Sequence, residues 1–392
     1  MPTLPTPRTG ARHAEEYVSL HMAHLCDDDV RRSPSIRGGA TAAGAALAAF
    51  DVSGYARTRN EVWPTDARGA SRLSPYIRHG VLGLRRVWDA VEGGPAKDVR
   101  KFRDELLWAE YARHWYTANG RRTRRGIRRE LPAALGSTGA SGGGSGGWEP
   151  EMACVAESLD ELHEHGWMVN QQRMWLASHW SVRNGRDWRV GEDHFFRHLL
   201  DGSRAANRLG WQWTTGVGSS KPYGFSRRQV EKRAPGTCAG CALEAACPIE
   251  DWPEDPAYRE PPPGNREASG NSRFGPTEVE PSGRAERVWL TAESMCDDPA
   301  LVANPGLPAV FVFDEPLLGR LRLSSKRLVF LVETLAELGT RRPLELRLGD
   351  PTRELTGIPL AATHAPVPGF EHISSGLEVV EKHPWPWLCR PR

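Results

Sequence analysis

Three cysteines in the second half of the chain have the spacing of metal-cluster ligands. Cys238 and Cys241 form a C-x-x-C pair, and Cys247 follows with Pro248 directly after it. A C-x-x-C pair with a third Cys before a Pro is a frequent arrangement of iron–sulfur ligands, and a tetrahedral zinc site is the alternative. A fourth ligand has to come from elsewhere, and four further cysteines are available: Cys26, Cys154, Cys296 and Cys389.

A group of hydroxyl side chains with one arginine could bind a diphosphate. Tyr55 is followed by Ser71-Arg72-Leu73-Ser74, which stands at the start of a predicted helix. Free backbone N–H groups and the helix dipole favour anions at such a position. Ser-x-x-Ser before a helix is also a common helix cap, so this segment alone does not decide between the two.

Two further segments bring polar and aromatic side chains together. Glu105 and Trp108 are three residues apart and share one face of a predicted helix. They would present a carboxylate and a flat stacking surface to a cavity, or form a solvated Glu beside a core Trp. The third segment runs from 166 to 213 and contains Asn170, Arg173, Met174, Trp188, Asp201, Asn207, Trp211 and Trp213.

The elements that must position these residues are mostly helices. Helical spacing of apolar residues over 38–119 and 151–213 predicts a helical domain at 35–253. Residues 1–34 are expected to be a partly ordered tail, and the Gly/Ser-rich stretch 136–147 a flexible loop. Residues 254–286 are rich in Pro, Gly, Arg and Glu, which predicts a disordered linker.

The pattern changes after the linker. Short β-forming runs at 288–290 and 309–313, an amphipathic helix at 326–338 and an alternating strand at 344–348 follow one another. This order predicts a small α/β, Rossmann-like domain over 287–392, with parallel pairing.

Composition narrows the function classes. A formal net charge of +2 over 392 residues gives no bulk attraction to nucleic acid, although six arginines cluster at 121–129. No apolar run is long enough for a membrane span and no signal peptide is evident, so we expect a cytoplasmic protein without a membrane partner. Seven cysteines in such a chain argue for metal binding or burial rather than disulfides.

The three segments of the helical part, in their order and spacing, closely resemble the FAD-binding domain of the DNA photolyase/cryptochrome family over roughly residues 36–225. The resemblance implies FAD bound within a helical domain. Ala70 stands where the family usually has Thr. The residues implied to bind the cofactor are Tyr55, Ser71, Arg72, Leu73, Ser74, Phe102, Arg173, Asp201 and Asn207.

The resemblance also implies roles in electron transfer. Asn207 matches the residue that faces the flavin N5, and Arg173 and Asp201 match a salt-bridged pair beside the isoalloxazine. Trp211 and Trp188 match two of the three tryptophans that pass electrons to the flavin. The third is not found at its expected place in the Gly/Ser loop, and Trp148 is a nearby candidate.

Five residues match positions that line the family's pocket for cyclobutane dimers: Glu105, Trp108, Asn170, Met174 and Trp213. The paired histidines of (6-4) photolyases are absent. Ala109 and Gln171 replace arginines that contact the lesion or DNA in typical members. The resemblance therefore implies a competent pocket with weakened DNA contacts.

The cysteines resemble those of one subgroup. Lys221-Pro222-Tyr223 upstream of the cysteines resembles the iron–sulfur bacterial cryptochromes and photolyases, whose fourth ligand corresponds to Cys154. The resemblance implies a [4Fe–4S] cluster on Cys154, Cys238, Cys241 and Cys247. We expect this cluster to be structural and to pin the C-terminal end of the domain, with a redox role as the alternative. The gap between the second and third Cys is shorter here, and the usual His-His of the helix is missing. The remaining cysteines, Cys26, Cys296 and Cys389, are expected to be inert or exposed thiols.

Residues 287–392 resemble the start of the family's α/β antenna domain, which precedes the helical domain in the family. The chain therefore looks circularly permuted, with a truncated antenna-like domain at its end, and we expect no antenna chromophore. An unrelated α/β appendage is the alternative.

Three functions follow from these expectations. The first is a deoxyribodipyrimidine photolyase-type lyase, which transfers an electron to cyclobutane pyrimidine dimers in DNA, single strands included. The second is a cryptochrome-like photoreceptor or redox flavoprotein without repair activity, whose signalling partner the sequence does not identify. The third is a light-independent or biosynthetic enzyme that reuses the flavin pocket.

Overall fold

The computed structural model describes residues 3–131, 147–148, 151–251, 256–259 and 274–390. The predicted Gly/Ser loop lies outside the described residues except for Gly147. Of the predicted linker, residues 254–255 and 260–273 also lie outside them.

Helices make up the first part of the described chain. They are α1 (Ala11–His21), α2 (Ala40–Ala49), α3 (Tyr55–Thr58), α4 (Ser74–Arg78), α5 (Leu84–Ala90), α6 (Ala96–Asn119), α7 (Ala153–His165), α8 (Asn170–Ala177), α9 (Trp188–His198), α10 (Arg204–Thr214) and α11 (Arg227–Arg233). A π-helical turn, Ser178–Arg183, extends α8, and 3₁₀ turns occur at Gly120–Arg124, Cys238–Gly240 and Glu244–Ala246.

The second part alternates strands and helices. Its elements are β1 (Glu280–Pro281), β2 (Arg287–Leu290), α12 (Pro299–Ala303), β3 (Ala309–Asp314), α13 (Glu315–Leu321), α14 (Ser325–Gly339), β4 (Leu344–Gly349), α15 (Pro351–Glu354), β5 (Leu360–Thr363), α16 (Pro368–Ser374) and β6 (Val379–His383).

The strands form one mixed sheet in the order β1-β6-β5-β2-β3-β4. β2 to β6 pair in parallel, whereas β1 pairs with β6 in the antiparallel sense, with Glu280 opposite Lys382. From the central strand β2 the chain continues outward to β3 and then β4. It then crosses back and adds β5 and β6 on the other side of β2. The edge strand β1 lies inside the segment that the sequence predicts to be a linker.

The N-terminal segment packs on this second part of the chain. α1 buries Ala14, Tyr17 and Val18 and packs against α14. The Leu4 N–H donates to the Leu346 carbonyl at the edge of β4. Residues 3–34, which the sequence predicts to be a partly ordered tail, are thus held by the α/β unit.

Helix α14 joins the two parts of the molecule. The sequence predicts it to be amphipathic, yet every residue from Ser325 to Leu338 except Glu337 is buried or nearly so. The sheet, α1 and the helical part together enclose it. Its Arg327 guanidinium, 3% exposed, donates to the carbonyls of Phe196 and Leu199 in the helical part. The Arg327 guanidinium can be buried because these two backbone carbonyls accept its hydrogen bonds.

A second hydrophobic core lies within the helical part. It contains Cys154 and the three tryptophans predicted for electron transfer, Trp148, Trp188 and Trp211. Trp175 and Trp180 belong to the same core. Among the described helices, none is both long and apolar enough to cross a membrane.

Candidate functional site

A cavity of about 380 Å³ opens between the end of α2 and the start of α4. Two of the predicted diphosphate residues, Ser71 and Arg72, line it, together with Ala70. The other lining residues are Ser35, Ile36, Ala46, Ala49, Phe50, Asp51, Arg68, Gly69 and Tyr76. This is a concave site with several polar groups on its wall, as small-molecule sites require.

Arg72 is held in an unusual conformation at this wall. Its φ is 58°, in the left-handed region that non-glycine residues seldom adopt. Its guanidinium donates to Ser35 Oγ at 2.7 Å and lies 5.0 Å from the ring centroid of Trp167. The Trp167 indole N–H in turn donates to Ser74 Oγ at 3.2 Å. These contacts hold a positive charge at the cavity.

Arg68 supplies a second cation, which the sequence analysis missed. It forms a bidentate ion pair with Glu161 of α7, with distances of 2.5 and 2.9 Å, and its Nε donates to the Val62 carbonyl. The only sequence signal for Arg68 was its position three residues before Ser71. Ser35 and Trp167 were missed because their contacts with Arg72 depend on tertiary structure.

Tyr55 and Phe102 lie behind the cavity as an aromatic group. Phe102 packs 4.9 Å from Phe50, which lines the cavity, and 5.1 Å from Tyr55 in an edge-to-face arrangement. Burial, and then the nearby Glu105 carboxylate, raise the pKa of Tyr55. Its phenol is therefore neutral. Leu73 is fully buried and Ser74 opens the five-residue α4.

Arg173 and Asp201 form the ion pair that the family resemblance implies. Arg173 Nη2 lies 2.8 Å from Asp201 Oδ2, and Arg173 Nε donates to the Met168 carbonyl. The other carboxylate oxygen, Asp201 Oδ1, is buried without a hydrogen-bond partner among the described residues. A buried acceptor in this state is costly unless a ligand satisfies it.

Asn207 lies on the buried face of α10, which begins where Ser203 Oγ accepts from the Ala205 and Ala206 amides. Asn207 is 7% exposed, and its Nδ2 has no hydrogen-bond partner in the described part of the chain. The same is true of the indole N–H groups of Trp188 and Trp211. Three buried donors on α9 and α10 and one acceptor, Asp201 Oδ1, thus have no hydrogen-bond partner among the described residues.

The predicted electron-transfer tryptophans are buried side chains. Trp188 begins α9 and is 0% exposed, and Trp211 of α10 is 2% exposed. Trp211 packs over Gly191 of α9, where an added Cβ would lie 2.1 Å from the indole ring. Trp148, the candidate third member, is also buried and lies 4.6 Å from the Trp180 ring centroid.

The predicted lesion-pocket residues lie at the surface. Trp108 and Trp213 are 59% and 52% exposed. Glu105 is engaged in ion pairs with Lys101 at 2.7 Å and Arg59 at 3.4 Å. Asn170 is exposed and its amide lies 3.4 Å from the Met174 sulfur.

The arginine-rich segment 121–129 packs against α10, the helix that carries Trp213. The Ile127 N–H donates to Gln212 Oε1 at 2.9 Å, which fixes the segment to the end of α10. Its exposed arginines are Arg121, Arg124, Arg125 and Arg128. Exposed positive charge therefore lies against the helix that also carries the exposed Trp213.

The four cysteines predicted as cluster ligands converge. Cys154, Cys238, Cys241 and Cys247 line one small cavity with apolar neighbours such as Met152, Leu243 and Ile249. The Ala153 N–H at the start of α7 donates to Cys241 Sγ at 3.5 Å. Burial, and then the three neighbouring thiols, raise the pKa of Cys154 to about 12. The remaining thiols lie elsewhere: Cys26 is buried, Cys296 half-buried and Cys389 exposed.

Comparisons with known proteins agree on the kind of domain. Residues 153–232 match the family model described as the FAD binding domain of DNA photolyase. The deoxyribodipyrimidine photo-lyase of Synechococcus sp. is 30% identical over 207 residues, which cover 46% of this chain and 39% of the relative. That of Thermus thermophilus is 33% identical over 195 residues, which cover 47% and 44%.

Among solved structures, the Synechocystis sp. PCC6803 cryptochrome is 23% identical with a TM-score of 0.45, over 52% of this chain and 45% of that one. The chain spans less than half the length of the curated relatives that it matches. The family-model match and the curated relatives support a photolyase-type FAD-binding domain in the helical part of this chain. The matched residues include Cys154, Arg173, Trp188, Asp201, Asn207 and Trp211.

Proposed function

We propose that this chain is a photolyase-like flavoprotein that holds FAD in its helical part and a [4Fe–4S] cluster on four cysteines. We propose further that it uses light to repair cyclobutane pyrimidine dimers in DNA. The observation that carries the proposal is the match of residues 153–232 to a photolyase FAD-binding domain, with unsatisfied buried polar atoms on Asp201 and Asn207 inside the matched range.

The donor set fits the cofactor. Arg72 and the Ser71 hydroxyl would face the anionic diphosphate, since guanidinium groups and hydroxyls are its usual partners. Arg68 lines the same cavity, but its charge is already paired with Glu161. Asp201 Oδ1 could accept a hydrogen bond and Asn207 Nδ2 could donate one, as the polar edge of an isoalloxazine ring requires. When bound and excited by blue light, FAD would supply the electron.

The protein's own residues would control that electron. Arg173, held by Asp201, would offset negative charge near the ring in a low-dielectric interior. Trp188 and Trp211 would pass electrons from the protein surface to the flavin and so reduce it again. Trp148 and Trp180 are in contact, with ring centroids 4.6 Å apart and planes tilted by 43°, and could extend this route, which makes Trp148 our candidate for the third member.

The cysteine geometry favours an iron–sulfur cluster over zinc. Sulfur ligands of one tetrahedral zinc ion lie about 3.8 Å apart, given Zn–S bonds of about 2.3 Å. Among the residues that the structure describes, no three cysteine sulfurs lie within 4.8 Å of one another. Four thiols spread around one cavity suit a cubane, which is wider than a single ion. We assign it a structural role, because it would tie α7 to the segment after α11.

DNA is the proposed substrate, single strands included. Exposed Trp108 and Trp213 offer stacking surfaces for unpaired bases, and the arginines of 121–129 offer contacts to phosphates. A dimer flipped out of the helix would meet Glu105 nearby.

A cryptochrome-like photoreceptor or redox role is the second candidate. It is favoured by the ion pairs that already occupy Glu105 and by the exposure of Trp108 and Trp213, because a repair pocket would gather these residues around the lesion.

The C-terminal unit is proposed to be a Rossmann-like, antenna-related domain that is permuted to the end of the chain. The reversal of strand order at β2 supports this proposal. The contacts of residues 3–34 with α14 and β4 also support it, because the two chain ends then belong to one unit.

Repair under blue light tests the proposal. The anaerobically purified, reduced protein would be illuminated with single- and double-stranded DNA containing dimers. Loss of dimers that depends on light and disappears in Glu105→Ala would support a photolyase. No repair by protein with full flavin and iron content would favour the second candidate.

A further inference from the structure

Three histidines from two helices meet at one point outside the sites described above. His163 comes from the end of α7, and His194 and His198 come from successive turns of α9. One ring nitrogen of each lies within 4.8 Å of those of the other two. His198 is buried and the other two are half-buried.

The distances suit ligands of one metal ion. Nε2 of His163 and Nε2 of His194 lie 3.1 Å apart, and the His194 and His198 ring centroids lie 4.5 Å apart. Two nitrogen ligands of a tetrahedral zinc ion lie about 3.3 Å apart, given Zn–N bonds of about 2.0–2.1 Å. The i, i+4 spacing of His194 and His198 puts both rings on one helix face.

A carboxylate stands behind the histidines. Asp27 Oδ2 lies 3.6 Å from His198 Nε2, which is too far for a direct hydrogen bond but places a negative charge beside this ring. The other nitrogen, His198 Nδ1, is buried without a hydrogen-bond partner among the described residues. The nearest lysine, Lys326, is held on Asp28 at 2.9 Å, which offsets its charge.

A packed cluster of neutral histidines is the competing explanation. Burial lowers the pKa of all three imidazoles, so their lone pairs are free for a metal or for hydrogen bonds. The His163–His194 contact could be one such hydrogen bond. A packed cluster leaves His198 Nδ1 buried and unsatisfied, which is unfavourable, whereas a metal ion would satisfy it.

We propose that His163, His194 and His198 form a binding site for a divalent transition-metal ion of the zinc type. Imidazole nitrogens suit Zn²⁺, and three histidines leave a fourth position for water. The ion would fasten α7 to α9 beside the N-terminal segment, where Arg31 also donates to the His163 carbonyl at 3.0 Å. This site shares no ligand with the proposed flavin and iron–sulfur sites, although the His194 ring lies 6.2 Å from that of Trp148.

Zinc binding by the intact protein tests the proposal. Chelator-treated, anaerobically purified protein would receive one equivalent of Zn²⁺, followed by X-ray absorption at the zinc edge and thermal unfolding. We expect nitrogen or oxygen ligands at about 2.0–2.1 Å, without the sulfur shell at about 2.3 Å that a cysteine site would give. We also expect a Tm that rises with Zn²⁺.

Matched variants complete the test. His194→Gln should bind zinc at least tenfold more weakly and lose the Tm rise, whereas His372→Gln, at an exposed position, should behave as the wild type. A zinc environment dominated by sulfur, or no zinc retained by the wild type, would overturn the proposal. Unchanged zinc affinity in His194→Gln would also overturn it. The wild-type spectrum decides the matter even if the variant does not fold.

Discussion

Arg173 and Asp201 are joined by an ion pair of 2.8 Å that uses only one oxygen of the carboxylate. The second oxygen, Oδ1, is buried and has no partner within the described chain. Arg173 comes from α8, and Asp201 follows α9 by three residues. This one contact therefore ties two segments of the helical part together and leaves one buried acceptor without a partner in the described chain.

Replacing Asp201 with Asn should impair stability and cofactor retention together. The variant leaves the mostly buried Arg173 without its counter-charge, which costs about 3 kcal/mol. Unfolding in denaturant and the flavin content of the purified protein would measure both effects. Asp104→Asn, an exposed change on α6, should alter the free energy of unfolding by no more than about 0.5 kcal/mol. Full flavin content in Asp201→Asn would remove this residue from the proposed site.

Gly191 should tolerate no side chain. An added Cβ would lie 2.1 Å from the buried Trp211 ring, so Gly191→Ala should destabilise the protein by about 1–3 kcal/mol through overpacking. Gly210→Ala is the matched control on the neighbouring helix, where nothing lies within 4 Å of the new methyl group. It should stabilise by about 0.5–1 kcal/mol. Thermal unfolding would compare the two, and equal effects would contradict the packing of α9 against Trp211.

Cys241→Ser should remove iron and lower the Tm. Cys241 lines the cavity shared by the four thiols and accepts from the Ala153 amide, so its loss breaks the proposed ligand set. Iron content and visible absorbance after anaerobic purification are the measurements. Cys389→Ser, at an exposed thiol, should keep full iron content. Equal iron content in the two variants would take Cys241 off the ligand list.

Asn207→Asp should slow the accumulation of reduced flavin under blue light. The change puts a buried negative charge where the amide donor stood, and Coulomb repulsion opposes the extra electron in a low-dielectric site. Bleaching of the flavin absorbance in the presence of an external reductant would report the rate. Asn170→Asp makes the same change at an exposed position, where solvent screens the charge, and should leave the rate unchanged. Identical rates for both variants would place Asn207 away from the flavin.

The sequence predicted individual helices and strands better than it predicted which of them pack against one another. The helices around Glu105 and Asn207, and the strands at 309–313 and 344–348, follow from periodicity, which is a local property. The burial of α14 on all sides does not, because it requires α1 and the helical part to pack around it. The order of residues 3–34 likewise depends on contacts with Leu346 and α14, more than 300 residues away.

The candidate sites show the same division. The convergence of Cys154 with Cys238, Cys241 and Cys247 was expected from resemblance, since spacing alone left the fourth ligand open. The histidine site was missed. His194 and His198 carry an i, i+4 signal that a reader could have noticed, but His163 lies 31 residues upstream of His194 and joins them only through the packing of α7 near α9.

The cofactor content of the anaerobically purified protein tests the central claim most directly. One FAD and four iron atoms per chain, with a flavin band that bleaches under blue light, is the result we predict. A folded protein that retains no flavin, even after incubation with FAD, or that holds zinc on its four cysteines, would contradict the claim.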